Sequence, residues 1–398
     1  MLPWLHAIVT VHTIVVRTFS HNDKTIRSPT WRKDMSGKRK FVAGVVLGAL
    51  LSLPAFAAQD AALKAADRAA VVQALAEKMN ANYIDPAVAE RVGSAIARKN
   101  AEGGYASAAS AQAFSAALAQ DLRALSGDLH FGAMLDQGFR ERGNAAEVPA
   151  RARMDEAREQ AGRWGYGIEK VERLPGNVGY IELRGFGRTE FVGPAYSAAM
   201  SLMAGTEALI LDLRRNGGGS PSSVAYLISH FFPLGDERHL IDIYNRPSDT
   251  TRQIFTVATV AQRYDKPVYV LTSARTFSGG EDCAYSFQAQ KRGTVVGETT
   301  GGGSNPVGRF SVGQGIVVVI PTSRTTNFVT KTNWEHVGVK PDIAVPAAQA
   351  LQTAHVAILR NLVSSEKDGD ERKELQRVLA MAEKGESDKP VYTLRGER

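Results

Sequence analysis

Ser278 and Glu281, in the stretch TFSGGEDC (276–283), support two readings at once. Ser-x-x-Glu is the spacing of a capping box: the hydroxyl accepts a helix N–H and the carboxylate reaches back to the serine N–H. The preceding run, KPVYVLTSA, is short and apolar, as a buried strand is. A strand-to-helix corner is also where enzymes expose a serine beside unpaired backbone N–H groups. From these residues alone, helix cap and nucleophile both stand. A nucleophile needs a base and a group to orient it. The candidates lie far off in sequence: His130 in GDLHFG and Glu335 in WEHVGVKPDI. Each has a plain alternative, a packed or solvated imidazole and a solvated surface carboxylate.

Other chemistries find less support. The five histidines after residue 58 are His130, His230, His239, His336 and His355, and no pair has metal-ligand spacing. Neither HExxH nor paired cysteines occur, so no metal and no organic cofactor is expected. Two glycine runs, LDLRRNGGGS (211–220) and GETTGGGSNP (297–306), match neither GxxxxGK[ST] nor GxGxxG. Each is either a flexible turn or a loop whose N–H groups face a developing oxyanion. Cys283, the single cysteine, falls early in the expected helix and reads as a small core residue.

These residues must be held by elements that the hydrophobic periodicity outlines. Apolar residues recur at three and four over 66–84, 86–102 and 111–125, which predicts three helices in a small bundle over 59–128. Residues 129–164 are polar and read as a linker that carries His130, with some helix. From 165 to 346 the runs VGYIEL, EALILDL, KPVYVLT, GTVVGE and GIVVVIPTS alternate with helical stretches such as SPSSVAYLISHFF and GGEDCAYSFQAQ. That alternation predicts an α/β domain. The tail, 347–398, contains two further helical patterns, ALQTAHVAILRNLV and ERKELQRVLAMAE.

Composition narrows the partners. The chain has 398 residues, of which 44% are hydrophobic and 22% charged, ordinary values for about two globular domains. The formal net charge is +7, but residues 1–58 carry eight Lys/Arg against two Asp/Glu, leaving the remainder nearly neutral. Nucleic acid is therefore not expected as a partner. From Met35 the sequence runs MSGKRK, then FVAGVVLGALLSL, then PAFAAQD: a basic region, 13 apolar residues and an Ala55-Phe56-Ala57 cleavage pattern. This is the anatomy of a secretory signal peptide over 35–58, with 1–34 as an upstream extension. Thirteen apolar residues fall short of the about 20 that span a bilayer, so a membrane is met only through this segment, if it is left uncleaved. A periplasmic or secreted location is expected.

Four motifs occur in a telling order: LILDLRRNGGG, PVYVLTSARTFSGGE, GTVVGETTGGG and HVGVKPDI. Together they resemble the tail-specific peptidase family. It includes the carboxyl-terminal processing proteases, the tricorn core protease and interphotoreceptor retinoid-binding protein. The likeness covers roughly 165–346, with looser similarity back to His130. It implies a crotonase/ClpP-like β/α spiral preceded by the small N-terminal helical bundle, with the serine opening a helix. The processing proteases use a Ser-Lys dyad whose lysine lies in a GExTFGKG loop; here GETTGGGS has glycine in its place. The tricorn and retinoid-binding branch looks instead to an upstream His and a downstream Glu, and His130 and Glu335 stand at the matching positions. About 40 residues separate His130 from the first expected strand, too few for the PDZ domain that processing proteases often carry. Leu129 stands where the tricorn enzyme has a serine, which leaves Asp128 or a backbone carbonyl to hold the imidazole.

The resemblance thus implies an exported serine endopeptidase acting on a peptide or unfolded protein. Ser278 is its nucleophile, His130 the base and Glu335 the group that orients it. The oxyanion falls to Gly279 and to the 217–219 loop through Gly217 or Gly218, and substrate binding to Gly301, Gly302 and Phe277. The alternatives are a non-catalytic protein that binds apolar ligands on the same fold, or a peptidase-like scaffold. The leader gives a test: N-terminal sequencing of native protein is expected to find Ala58 or Gln59 first, and retention of Met1 or Met35 would contradict export.

Overall fold

The computed structural model describes residues 62–141 and 150–386; the upstream extension and the expected signal segment lie outside them. In chain order the elements are α1 (Ala65–Asn82), α2 (Pro86–Ala101), α3 (Ala111–Ser126), β1 (Gly132–Leu135), α4 (Ala150–Arg163), β2 (Ile168–Leu174), β3 (Val178–Leu183), α5 (Thr189–Met203), β4 (Ala208–Asp212), α6 (Pro221–Ser229), β5 (His239–Asn245), β6 (Thr250–Phe255), β7 (Val268–Thr272), α7 (Gly279–Ala289), β8 (Thr294–Gly297), β9 (Val307–Ser311), β10 (Ile316–Pro321), β11 (Ser323–Asn327), β12 (Ile343–Ala344), α8 (Ala347–Ser365) and α9 (Gly369–Lys384). No described helix is long and apolar enough to cross a membrane.

The central sheet has six strands in the order β12-β8-β7-β4-β3-β2. Neighbours from β12 to β3 are parallel, and β2 pairs antiparallel at the edge. Every residue of β3, β4 and β7 is buried, as in a sheet covered on both faces, and this is why they read as continuous apolar runs. One face packs Tyr180, Ile210 and Leu271 against Ala350, Ala354 and Ile358 of α8. The other packs Leu209, Leu211 and Val270 against α5, α6 and α7 through Met200, Ile228 and Phe287. The polar ends follow from the connectivity. β4 runs into the 213–220 loop, β7 into Ser278, and β8 into the 298–306 loop, so three loops converge beyond the carboxyl ends of parallel strands. Ligand crevices form at such an edge.

The first three helices start and stop where their caps dictate. The Asp85 side chain accepts the Ala87 and Val88 N–H groups with Pro86 at the first helical position, and Ser110 accepts the Ala113 N–H. Gly127 closes α3 in the left-handed region at φ 77°. These helices do not close a core by themselves. Leu75, Phe114, Leu118 and Leu122 pack together with Phe131 and with Ile316, Val318 and Ile320 of β10. The stretch expected to be a linker contributes to this unit: β1 pairs antiparallel with β10, and β10 with β9. Its four residues are too short and too mixed in burial to show an alternating pattern. A third sheet, β11-β5-β6, is an antiparallel flap of mixed polarity.

His130 therefore hangs between an anchored helix end and an anchored strand. Its neighbour Phe131 is the anchor: it is 1% exposed and its ring lies 4.8 Å from that of Tyr83. Phe131→Ala is expected to cost about 3–5 kcal/mol in denaturant unfolding, the usual toll of emptying a buried aromatic site. A cost under about 1 kcal/mol would mean that the helices and β10 do not share this core.

Candidate active site

Ser278 leaves β7 and opens α7 with φ 53° and ψ −119°, a conformation that L-residues rarely adopt. A helix-capping residue has extended backbone angles, so the strain at Ser278 is not that of a cap. Half of the capping box does form: the Ser278 N–H donates to Glu281 Oε2 at 2.8 Å. The other half does not, because the hydroxyl makes no capping bond and faces a cavity. Strained residues persist only where their surroundings over-determine them. Here the surroundings are Glu281, fully buried, which also accepts from Thr300 Oγ1 at 2.5 Å, Gly302 N–H at 2.7 Å and Gly303 N–H at 2.9 Å. Burial raises the carboxyl pKa of Glu281, against the pull of those donors.

The glycine loop after β4 packs directly under the serine. A Cβ on Gly219, at φ 136°, would lie 2.0 Å from the Phe186 carbonyl oxygen, so no other residue fits there. Gly217 and Gly218, expected to face an oxyanion, have their N–H groups engaged elsewhere. Gly217 donates to the Arg184 carbonyl at 3.2 Å and Gly218 to Asn216 Oδ1 at 2.8 Å. The N–H groups of Gly219 and Gly279 make no hydrogen bond to the described residues, and both residues line the cavity beside Ser278. Gly279 sits where the first N–H groups of α7 lack partners.

His130 lines the same cavity from the other side. Asp128, fully buried, receives the His130 backbone N–H on Oδ1 at 2.9 Å, and that oxygen lies 3.8 Å from Nδ1 of the ring. Tyr83 Oη and Asn305 Nδ2 each donate to Asp128 Oδ2 at 3.4 Å. Leu129 is 49% exposed and contributes no polar contact. The Phe277 ring lies 4.6 Å from the imidazole and tilts over it. Both ring nitrogens are buried without a hydrogen-bond partner in the described structure. Burial lowers the His130 pKa, and the negative Asp128 pulls it back only in part.

Glu335 completes the group. Its Oε2 accepts the N–H groups of Ser304 at 2.6 Å and Asn305 at 3.1 Å, while Oε1 is buried without a hydrogen bond in the described structure and lies 3.9 Å from Nδ1 of His336. Burial first, then Asp128, raises its pKa. Ligand atoms of Asp128, His130 and Glu335 all lie within 4.8 Å of one another, a grouping that could hold a cation. Sequence spacing could not show it, since Asp128 and Glu335 are brought together only by the fold. Gly301 and Gly302 do not line the cavity as expected of substrate contacts. Gly301 donates to the Thr276 carbonyl at 3.0 Å, Gly302 to Glu281. Phe277 packs on His130 rather than lining the cavity. The cavity measures about 370 Å³, and Pro221, Ile241, Pro306, Val307 and Trp334 form its apolar wall.

Three parallel-strand loops, one helix-to-strand turn and the segment between β11 and β12 thus bring together a crevice lined by a strained serine and a desolvated imidazole, with two carboxylates clustered behind the imidazole. Residues 177–345 match the domain of peptidase family S41, and residues 58–161 match the N-terminal domain of peptidase S41 in eukaryotic IRBP. The two matches cover more than half of the sequence, and the chain belongs to peptidase family S41. It is 30% identical over 171 residues to a carboxyl-terminal-processing protease of Synechocystis sp., which is 42% of this chain and 38% of that protein. It is also 30% identical over 189 residues to the chloroplastic carboxyl-terminal-processing peptidase 2 of Arabidopsis thaliana, 44% of this chain and 34% of that one. The chain thus spans little more than a third of the length of these curated relatives. A solved structure from Parabacteroides merdae shares the fold, with a TM-score of 0.52 at 19% identity over 75% of this chain and 99% of that one.

The electrostatics of the imidazole give a direct test. An NMR titration is expected to place the His130 pKa below the usual ~6.5, because burial disfavours the cation. Asp128→Asn should lower it further by removing an attraction that favours the charged form. A wild-type value above ~6.5 would mean that the carboxylates outweigh desolvation.

Proposed function

We propose that this chain is an exported serine peptidase that hydrolyses peptide bonds within peptides or unfolded proteins. The observation that carries the reading is Ser278 itself: a hydroxyl freed from capping, on a strained elbow, in a crevice shared with His130 and two unpaired N–H groups. His130 is the general base. It is neutral at physiological pH because burial disfavours its cation, so it can accept the Ser278 proton as the oxygen attacks the carbonyl. The carbonyl oxygen becomes an anion and is received by the N–H groups of Gly279 and Gly219, in place of the Gly217 and Gly218 donors suggested by the sequence. The imidazolium then returns its proton to the leaving amine.

Asp128 and Glu335 divide the work of holding the base. Asp128 fixes the His130 backbone and offers a carboxylate 3.8 Å from Nδ1. Glu335 has one oxygen occupied by the 304–305 backbone and the other free of hydrogen bonds within the same cluster, 3.9 Å from Nδ1 of His336. Both negative charges stabilise the imidazolium as it forms. No lysine lines the cavity among the described residues, which supports a histidine rather than a lysine base. The parallel order β8-β7-β4-β3 with helices on both faces supports the β/α spiral, and the helical segment ahead of it supports the bundle implied by the resemblance. The basic, apolar and Ala-x-Ala pattern of 35–58 supports export.

Ser278→Ala is expected to abolish peptide hydrolysis, a loss of about 10⁴-fold or more (about 5.5 kcal/mol), with little change in unfolding free energy. His130→Ala should lose nearly as much and the double variant little more, because the two act as one unit. Steady-state kinetics with unfolding curves as the folding control decide it. Additive losses would separate the two residues, and unchanged turnover in Ser278→Ala would end the reading.

A further inference from the structure

Asp282 is a buried acid for which the reaction described above has no use. It follows Glu281 in α7 and lies four residues from Ser278, so both face the same side of the helix, one turn apart. It is 4% exposed, and the single hydrogen bond of its carboxyl group in the described structure is from Ser286 Oγ to Oδ1 at 3.2 Å. No Lys, Arg or His among the described residues pairs with it. Burial pushes its carboxyl up to about 7. A buried acid with neither a counter-charge nor a full set of donors is costly to keep. Its place explains why it is there: Asp282 lines the cavity that opens on Ser278, together with the apolar side chains of Pro221, Ile241, Val307 and Trp334.

An apolar sleeve with a carboxyl group set one helical turn from the nucleophile fits one kind of side chain: several methylenes ending in a cation. The methylenes pack along the wall and the head meets the acid, as long basic side chains do wherever they cross apolar surface. The ion pair is then made by the substrate alone and is absent from the empty protein. Resting on the peptidase reading, we propose that this cavity holds the side chain of the residue whose carbonyl Ser278 attacks, and that Asp282 selects lysine or arginine there. A neutral or acidic side chain would leave the acid buried and unpaired, and that difference discriminates.

The test uses the full chain and a series of peptidyl coumarin amides that differ only at the residue before the cleaved bond: Lys, Arg, Leu, Gln or Glu. kcat/KM is expected to favour Lys and Arg over Leu by roughly 10²-fold, and Asp282→Asn to lower the Lys-to-Leu ratio by a similar factor. A second measurement needs no variant: benzamidine, a cation of the right shape, should slow phosphonylation of wild-type Ser278 by a fluorophosphonate. Phosphonylation of Ser278 together with a preference for Leu, or a ratio unmoved by Asp282→Asn, would overturn this inference and leave the peptidase reading intact. Failure of Ser278 to react, with no peptide cleaved, would overturn the peptidase reading and this inference with it.

Discussion

The site depends on one buried carboxylate. Glu281 gathers four donors from two parts of the chain: the Ser278 N–H on one side, and the Thr300 hydroxyl and the N–H groups of Gly302 and Gly303 on the other. The first holds the serine in a backbone conformation that it would not adopt alone. The others tie the loop after β8 to the same point, and Thr300 passes the link on by accepting the Val339 N–H at 2.7 Å. An acceptor with two oxygens and several lone pairs is the one side chain that can meet four donors at once. Removing it would leave buried donors unmet, at a cost of about 1–3 kcal/mol for each. Placement of Ser278 and closure of the crevice are therefore one event.

From that point the rest follows in order. The 298–306 loop, fixed by Glu281, brings Ser304 and Asn305 to Glu335, and Asn305 on to Asp128. A Cβ on Gly303 would lie 2.4 Å from the Phe277 ring and 2.6 Å from the His130 ring, so any other residue there would push these rings aside. The imidazole is thus wedged between the glycine loop and Phe277, with its backbone held by Asp128. The helices matter because their core, shared with β10 through Phe131, carries the turn on which His130 sits. A site assembled from such distant segments is preorganised only as well as those segments are packed.

Much of this was legible in the sequence, and the parts that were not have physical reasons. VGYIEL coincides with β3, and the helices at 86–101 and 111–126 fall within a residue or two of their caps, because continuous apolar runs and Asp, Ser and Gly caps are local signals. α5 escaped notice because Gly193 and Pro194 interrupt its pattern, and β5 and β6 because their hairpin is half exposed and polar. Motif order points to Ser278, His130 and Glu335; Ser278 and His130 line one crevice, and Glu335 lies behind it, in the cluster with His130 and Asp128. Of the glycines in the 217–219 loop, the sequence singles out Gly217 and Gly218, but their N–H groups are taken by Arg184 and Asn216, partners that no spacing reveals, while that of Gly219 is left without one among the described residues. Glu281 was visible only as half of a capping box, although SxxE already carried its bond to the serine. The role of Asp128 follows from a turn of two residues, which GDLHFG allows but does not dictate.

The central claim is that Ser278 is held to attack a carbonyl whose oxygen then meets the N–H groups of Gly279 and Gly219. A crystal structure of the protein after reaction with a fluorophosphonate tests it most directly. The account predicts phosphorus bonded to Ser278 Oγ, with the phosphoryl oxygen within hydrogen-bond distance of both N–H groups and the His130 ring facing the adduct. An unmodified Ser278, or a phosphoryl oxygen turned away from Gly219 and Gly279, would contradict it.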